Sequence, residues 1–491
     1  MAQLTSIAWL AVGAALLATQ NRVSISPLPW LALPMLLHAS RPMTPGRGAA
    51  IVWLALFVST TISRREIVPI PGVAYYIVSA LTAIGLTLPF LIDRLASGRV
   101  GDVASVLVFP VAWVAVDFLQ SRFTPNATWG SLAGTQYGNL PLMQLAAYVG
   151  LAGITFVIAW CASTFEVAWS RGFEWTAIRA PVTTFASVFV VVMVGGAIRV
   201  AIAPADRPTL RIAMLNRPTD LFIPGEITRI AEGRVASNDR PRFDEKLAQL
   251  HNWFLDGSRR EARAGARLVA WPEQSLLVFS EGEAGFIDRA QRLAVEEHVY
   301  LAMGLGTVHL GEPKPFENKL VVIDPSGRIV ISYRKSHPVA GWEASIMKVG
   351  DGHLPVVATD VGRIAAAICY DADFPEFIRQ SALGAADMLI VPANEWKAIK
   401  YLHYQMAAFR AIEVGATLIR PASSGISSAI DPWGRVLGIG DDVATPDRAT
   451  VVHVPLGGIR TVYGRIGDLF AWLCVGGVLL ALALAVANRA S

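Results

Sequence analysis

Long apolar stretches crowd both ends of this chain, and they constrain it more than any other feature. Seven lie before residue 208, at residues 7–18, 28–38, 49–62, 72–92, 103–119, 142–169 and 182–203, and an eighth covers residues 466–487. A helix needs about 20 apolar residues to cross the hydrocarbon core of a bilayer. The fourth, sixth, seventh and eighth stretches reach that length. The first three are short or interrupted, and the first two can also be read as one re-entrant hairpin. Their number and their lack of polar faces argue against helices buried in a soluble core. Composition agrees: 53% of the residues are hydrophobic and 16% charged, with a mean hydropathy of +0.46. The expectation is a membrane α-helical bundle of about eight spans, with residues 208–456 set apart by their ordinary globular composition.

Arginine and lysine in the short loops set the orientation. With the amino terminus inside, the inner loops and tail hold Arg41, Arg47, Arg94, Arg99, Arg171, Arg179 and Arg489, and the outer loops hold Arg22, Arg64, Arg65 and Arg122. That asymmetry places the middle of the chain outside the cytoplasmic membrane. No Lys or Arg precedes the first stretch and no cleavage site follows it, so it reads as an anchor rather than a leader. The outer loop at residues 121–140 is polar and aromatic, with Trp129 and Tyr137, and suits either an interfacial belt or the mouth of a lipid entrance. A net charge of +4 with no basic run gives nucleic-acid binding no support. Three cysteines cannot build a disulfide framework, and Cys161 and Cys474 sit inside apolar spans as small hydrophobes.

From Leu210 the pattern changes. Short apolar strands at residues 210–214, 268–271, 300–305, 319–323 and 388–391 alternate with amphipathic helices, chiefly 243–263 and 403–414. Asp324-Pro325-Ser326-Gly327 and Asp431-Pro432-Trp433-Gly434 read as hairpin turns. The result is a mixed α/β domain with two packed sheets or one large one. Residues 218–238 lack periodicity and read as a long functional or mobile loop.

Three strand ends in this domain carry reactive groups. The apolar run at residues 364–368 ends in Cys369-Tyr370-Asp371, the run at 267–271 ends in Trp271-Pro272-Glu273, and the run at 329–333 ends in Tyr333-Arg334-Lys335. Each residue alone has an ordinary structural use, as a buried thiol, a cap or a solvated charge. Together, at the ends of strands where open α/β sheets collect their ligands, they supply a nucleophile, its base and a cation. Glu273 is placed to take the Cys369 proton. Lys335 and the main-chain N–H of Tyr370 are placed to hold an oxyanion once the thiolate attacks an acyl carbonyl. Glu343, eight residues past Lys335, is a candidate to orient the lysine or to receive an amine proton. His298, His309, His337, His353 and His403 show no paired ligand spacing and no Cys-x-x-Cys occurs, so neither a metal nor another cofactor is expected. Gly304-Leu305-Gly306 lacks the following helix that a dinucleotide site requires.

The order Trp-Pro-Glu273, Tyr-Arg-Lys335 and Ile-Cys369-Tyr-Asp resembles the nitrilase (carbon–nitrogen hydrolase) superfamily, and Arg410-Ala411-Ile412-Glu413 followed by Ser424-Gly425 is similar to its later supporting motif. A domain of that kind between a seven-helix bundle and a final helix resembles one branch, the apolipoprotein N-acyltransferase family. Trp129-Gly130-Ser131-Leu132-Ala133 through Gly150, and Thr461-Val462-Tyr463-Gly464-Arg465-Ile466-Gly467-Asp468, are similar to that branch's flanking signatures. The resemblance implies a four-layer α-β-β-α sandwich that moves an acyl chain from a phospholipid to the α-amine of a lipidated amino-terminal cysteine. By motif, Glu273 matches the base, Lys335 the oxyanion lysine, Cys369 the nucleophile and Glu343 a second essential glutamate, while Tyr370 and Asn318 match pocket positions. The chain departs from the family at Pro338-Val339-Ala340-Gly341-Trp342-Glu343, at Asp371 and at Glu395-Trp396-Lys397. Trp342, Asp371 and Trp396 therefore enter as candidate substrate-binding residues, and Val339, Trp342, Ile346 and Met347 as a candidate apolar lid.

The expected organisation is a transmembrane bundle at residues 1–205, an extracytoplasmic catalytic domain at 206–458 and a last transmembrane helix at 459–491. The expected partners are a phospholipid donor, a lipoprotein acceptor and the bacterial inner membrane, with no nucleic acid, and the chain is expected to act as a monomer. The competing reading is a membrane-anchored nitrilase-like amidase that hydrolyses a lipid or amide, with water resolving the thioester.

Overall fold

The computed structural model describes residues 2–20, 25–100, 102–204, 206–218, 221–444 and 449–490. Arg22 and the side chain of Arg489, both used for the orientation, lie outside the described set. The chain forms two compact units, residues 2–203 with 466–490, and Pro204–Arg465.

The first unit is helical. Six of its helices are long and apolar enough to cross a membrane: Pro45–Ser63, Val73–Arg99, Ala104–Phe123, Ala146–Ser170, Trp175–Ala201 and Leu469–Ala487. Six rather than eight meet this standard among the described residues, because Ser6–Ala18 and Leu28–Ser40 are shorter. At 1.5 Å per residue, a 13-residue helix such as Leu28–Ser40 rises only about 20 Å, short of a ~30 Å core. The third stretch is longer than its apolar core suggests, because Pro45 starts the helix at its first turn. The sixth is not one continuous helix. A short helix, Leu140–Met143, precedes Ala146–Ser170, and Gly150 breaks the latter with φ of 66° and ψ of −166°. The seventh begins at Trp175, ahead of Pro181, which it carries internally.

Polar groups inside this unit are matched to one another. Arg41 grips Asp93 through two hydrogen bonds of 3.0 Å and also reaches Glu166, both carboxylates being buried. The loop after Phe123 is packed rather than free. Ser131 Oγ donates to Asp117 Oδ2 at 2.8 Å, Arg64 donates to the Trp129 carbonyl at 3.4 Å, and Trp30 Nε1 donates to buried Gln136 at 3.1 Å.

The second unit holds two large sheets and a two-stranded one, in which Ala393–Asn394 runs parallel to Ala422–Ser423. In the first, the strands lie in the order Ala449–Pro455, Thr209–Leu215, Leu268–Ala270, Tyr300–Val308, Phe316–Ile323 and Ile329–Arg334, with Leu276–Phe279 also paired to Tyr300–Val308. In the second, the order is Val436–Asp441, Ile426–Ile430, Thr417–Arg420, Met388–Ile390, Gly362–Ala366 and Val356–Thr359. Helices Arg240–Arg263 and Ser280–Glu296 pack on the first sheet, and Pro375–Leu383 and Lys400–Val414 lie on the side of the second. Each large sheet thus has its own pair of helices, the α/β arrangement expected of a nitrilase-like fold. The two expected hairpins form: Asp324 accepts the Ser326 and Arg328 N–H groups, and Asp431 accepts those of Trp433 and Arg435. The stretch expected to be a loop at residues 218–238 contains a helix, Glu226–Ala231, too short to show a period; residues 219 and 220 lie outside the described set.

Packing fixes where the strands stop. Trp271 is fully buried against Phe254 and Phe286 and donates its indole N–H to Ser258 Oγ at 2.9 Å, anchoring the turn that carries Glu273. Gly304 explains the glycine pattern in the neighbouring strand, since a Cβ there would sit 1.9 Å from the Pro272 carbonyl oxygen. Gly304→Ala is expected to lower stability by about 1–3 kcal/mol through overpacking. Gly285→Ala, in an exposed helix with open space around it, should be neutral or gain up to about 1 kcal/mol. Thermal unfolding of the full chain in detergent compares the two.

Candidate active site

Parallel pairing brings the candidate groups to one end of the unit. Thr209–Leu215, Leu268–Ala270 and Tyr300–Val308 run parallel in the first sheet, and Gly362–Ala366, Met388–Ile390 and Thr417–Arg420 run parallel in the second. The carboxyl ends of these strands are where Glu273, Cys369 and the loop at Asn394 emerge. Lys335 follows directly on the antiparallel strand Ile329–Arg334.

Glu273, Lys335 and Glu343 form one buried cluster. Lys335 Nζ donates to Glu273 Oε1 at 2.9 Å and to both Glu343 oxygens at 2.9 Å. Asn318 Nδ2 donates to Glu273 Oε1 at 2.7 Å and to Glu343 Oε1 at 3.3 Å. The main-chain N–H of Asn394 caps Glu273 Oε2 at 2.8 Å, and that of Val339 caps Glu343 Oε2 at 2.7 Å. Gln274, at a positive φ of 50°, turns its amide back to Glu343 Oε1 at 3.3 Å. Burial works against the Lys335 ammonium, but the Glu273 and Glu343 carboxylates, helped by Cys369, outweigh it and hold its pKa well above the usual lysine range.

Cys369 is buried at the head of a tight turn, Cys369–Asp373, with a φ of +48°. A side-chain-bearing residue is strained there, and it persists only where its surroundings over-determine it. Its N–H donates to the Pro392 carbonyl at 2.9 Å. Asp371 holds the rest of the turn, accepting from Ile368 N–H at 3.0 Å, Tyr333 Oη at 2.7 Å and His337 N–H at 2.8 Å, with His337 Nδ1 also at 2.8 Å. Burial first, then the Glu273 carboxylate within hydrogen-bonding reach, push the Cys369 thiol well above its usual range, against the opposing charges of Lys335 and Arg420. At neutral pH the sulfur carries its proton and the neighbouring carboxylate is placed to receive it.

The remaining candidates fall in different places. Asn318 belongs to the cluster. Tyr370 is buried, with its ring edge-on to Phe374 at 5.1 Å. Asp371, a candidate for substrate contact, is fully buried and spends both oxygens on the Cys369 turn, so it supports that turn from behind. Trp342 is 43% exposed and donates its indole N–H to Glu232 at 2.6 Å. Trp396 is half-buried in the loop after Asn394. Of the candidate lid, Met347 is fully buried and Ile346 packs in the same core, so neither faces outward; a five-residue helix, Trp342–Ile346, turns them in.

Sequence reasoning missed Asp373, Glu395, His403 and Arg420, a buried ionisable set beside the Cys369 turn. The signal was present in part. Arg420 ends an apolar run just as Cys369 does, whereas nothing in their spacing joins His403 to Asp373 and Glu395.

Removing the cation from the cluster tests its electrostatics. Lys335→Met leaves two buried carboxylates without their shared ammonium, and should lower stability at pH 8 by about 3–5 kcal/mol. A buried carboxylate without a cation has a raised folded pKa, so the deficit should shrink as pH falls and one of them takes a proton. Unfolding midpoints at pH 5 and pH 8, with Glu343→Gln added to Lys335→Met as the relieving change, give the measurement.

The chain matches two family models, the apolipoprotein N-acyltransferase N-terminal domain over residues 12–164 and carbon-nitrogen hydrolase over residues 234–461. Among curated relatives, an apolipoprotein N-acyltransferase of Geobacter metallireducens is 26% identical, covering 95% of this chain and 92% of its own. One of Bradyrhizobium diazoefficiens is 26% identical over 84% of this chain and 78% of its own. Among solved structures, an amidase from Nesterenkonia sp. aligns at 20% identity and a TM-score of 0.40, over 51% of this chain and 92% of that one. With the two models together spanning well over half its length, the chain belongs to the apolipoprotein N-acyltransferase family.

Proposed function

We propose that this integral membrane protein moves a fatty acyl chain from a membrane phospholipid, through a thioester on Cys369, to the amino-terminal amine of a lipoprotein. The observation that carries the reading is the convergence of Cys369, Glu273 and Lys335 in one buried cluster of a chain whose other unit is built from apolar helices. Removing each buried CH₂ from lipid costs about 0.8 kcal/mol, so a long acyl chain has to be met in the bilayer.

In the first half-reaction Glu273 takes the Cys369 proton as sulfur attacks the ester carbonyl. The tetrahedral oxyanion is held by the Lys335 ammonium and the Tyr370 main-chain N–H, donors of a kind worth about 2.7–4 kcal/mol each. Collapse breaks the ester C–O bond, and the lysophospholipid alkoxide leaves with the proton from Glu273. In the second half, the acceptor amine attacks the thioester and gives its proton to Glu273. The C–S bond breaks, and the thiolate recovers that proton. Glu343, bound on both oxygens by Lys335, serves to aim the ammonium. The catalytic unit faces the periplasm, on the inner membrane, as the loop arginines favour.

Two measurements test this. Intact-mass analysis of the protein extracted from membranes should find an added acyl mass that hydroxylamine removes, absent from Cys369→Ser. Glu273→Gln should slow its formation by about 10²–10⁴-fold. A wild-type protein that never carries the acyl group would overturn the covalent route. Protease added outside intact spheroplasts should digest Pro204–Arg465; protection until the membrane is opened would reverse the orientation.

A further inference from the structure

Four ionisable side chains, none more than 2% exposed, run behind the Cys369 turn, and the reaction above uses none of them. Asp373 closes the turn that begins at Cys369, and its Oδ2 lies 3.1 Å from His403 Nε2. The other ring nitrogen, Nδ1, lies 2.8 Å from Glu395 Oε1. Arg420 also pairs with Glu395, places Nη2 3.0 Å from His403 Nδ1, and donates Nη1 to the Ile426 carbonyl at 3.3 Å. The groups come from four places: the turn, the loop after Met388–Ile390, the helix Lys400–Val414 and the end of Thr417–Arg420.

Stability does not account for such a set. Buried ion groups are often no better for folding than apolar packing of the same volume. Glu395 Oε2 and Arg420 Nε are moreover buried without a hydrogen-bond partner among the described residues. Its two ends, however, reach the reaction centre. Asp373 shares a turn with the nucleophile. Glu395 follows Asn394, whose N–H holds Glu273 Oε2. Among the described residues, His403 reaches both, through Asp373 and Glu395.

We propose that His403 is a positioning residue that ties the Cys369 turn to the loop clamping Glu273, and so keeps the thiol aligned with its base. Only an imidazolium offers an N–H to each carboxylate. The charged groups facing the ring are Asp373, Glu395 and Arg420. Burial and Arg420 disfavour its charge, but the two carboxylates prevail and raise its pKa to about 9. Below that pH the tie is complete. Above it one N–H is lost, Arg420 is left to donate to the bare Nδ1, and the tie opens.

The consequence for acyl transfer rests on the function proposed above, whereas the consequence for thiol reactivity rests on the geometry alone. Both are read on the full-length enzyme in detergent. Iodoacetamide alkylation of Cys369, followed on its own peptide by mass spectrometry without lipid, should show a break near pH 9 in wild type. Asp373→Asn removes one anion and should move that break down by about one pH unit or more. His403→Gln should abolish it, and should slow single-turnover thioester formation from a labelled phospholipid at least tenfold at pH 7. A break that stays in place in Asp373→Asn, or survives in His403→Gln, overturns the proposal. If His403→Gln does not fold, the Asp373→Asn profile decides. Breaks that move as expected in proteins that form no thioester would uphold His403 as a positioning residue and count against the acyl-transfer reading.

Discussion

Two carboxylates sharing one ammonium, out of contact with water, are the constraint around which the second unit is built. Glu273 and Glu343 both turn to the one ammonium of Lys335, and a buried site tolerates such a set only if the remaining oxygens are hydrogen-bonded as well. The fold meets that condition with the Asn318 and Gln274 amides and with main-chain N–H groups of Asn394 and Val339. These donors come from the first sheet and its turn at Gln274, from the short strand Ala393–Asn394 that follows Met388–Ile390, and from the loop after Lys335. The cluster therefore exists only once the segment that follows Met388–Ile390 has packed against the first sheet.

The Cys369 turn obeys a related rule. Cys369 sits in a left-handed backbone conformation that side chains avoid, and Asp371 fixes the turn from behind through the Ile368, Tyr333 and His337 donors. Burial, then the Asp371 carboxylate, push the Tyr333 phenol up, so it remains a donor throughout the working pH range. The cost of the turn and the burial of its acid are offset locally, which leaves the sulfur facing the Glu273 carboxylate.

The helical unit follows the same economy of matched polar groups. Arg41 occupies Asp93 and Glu166, and Ser131 and Thr155 both point hydroxyls at Asp117. The loop carrying Trp129 and Gly130 is held down by such contacts. Gly130, at φ of 85°, has no Cβ to collide with the Arg64 guanidinium.

Much of this was legible in the chain itself. Hydropathy alone marked the apolar helices, because a helix buried in lipid shows no polar face. The strand-end positions of Glu273, Lys335 and Cys369 were visible because apolar runs stop abruptly at charged or reactive groups. The two Asp-Pro hairpins were visible because their side chains act on neighbours two and four residues away. Span length was less legible: composition does not say where Leu28–Ser40 ends or that Gly150 interrupts a helix. Asp371 read as a pocket residue, and Met347 as part of a lid, since neither burial nor direction is encoded in a side chain's type. The link from Asp373 through His403 to Glu395 and Arg420 joins positions up to 47 residues apart, as from 373 to 420, and only the parallel register of the second sheet brings them together. Local order follows from hydropathy and turn chemistry. Which charges become neighbours is decided by sheet closure, because pairing across strands carries no trace in the spacing of the residues that meet.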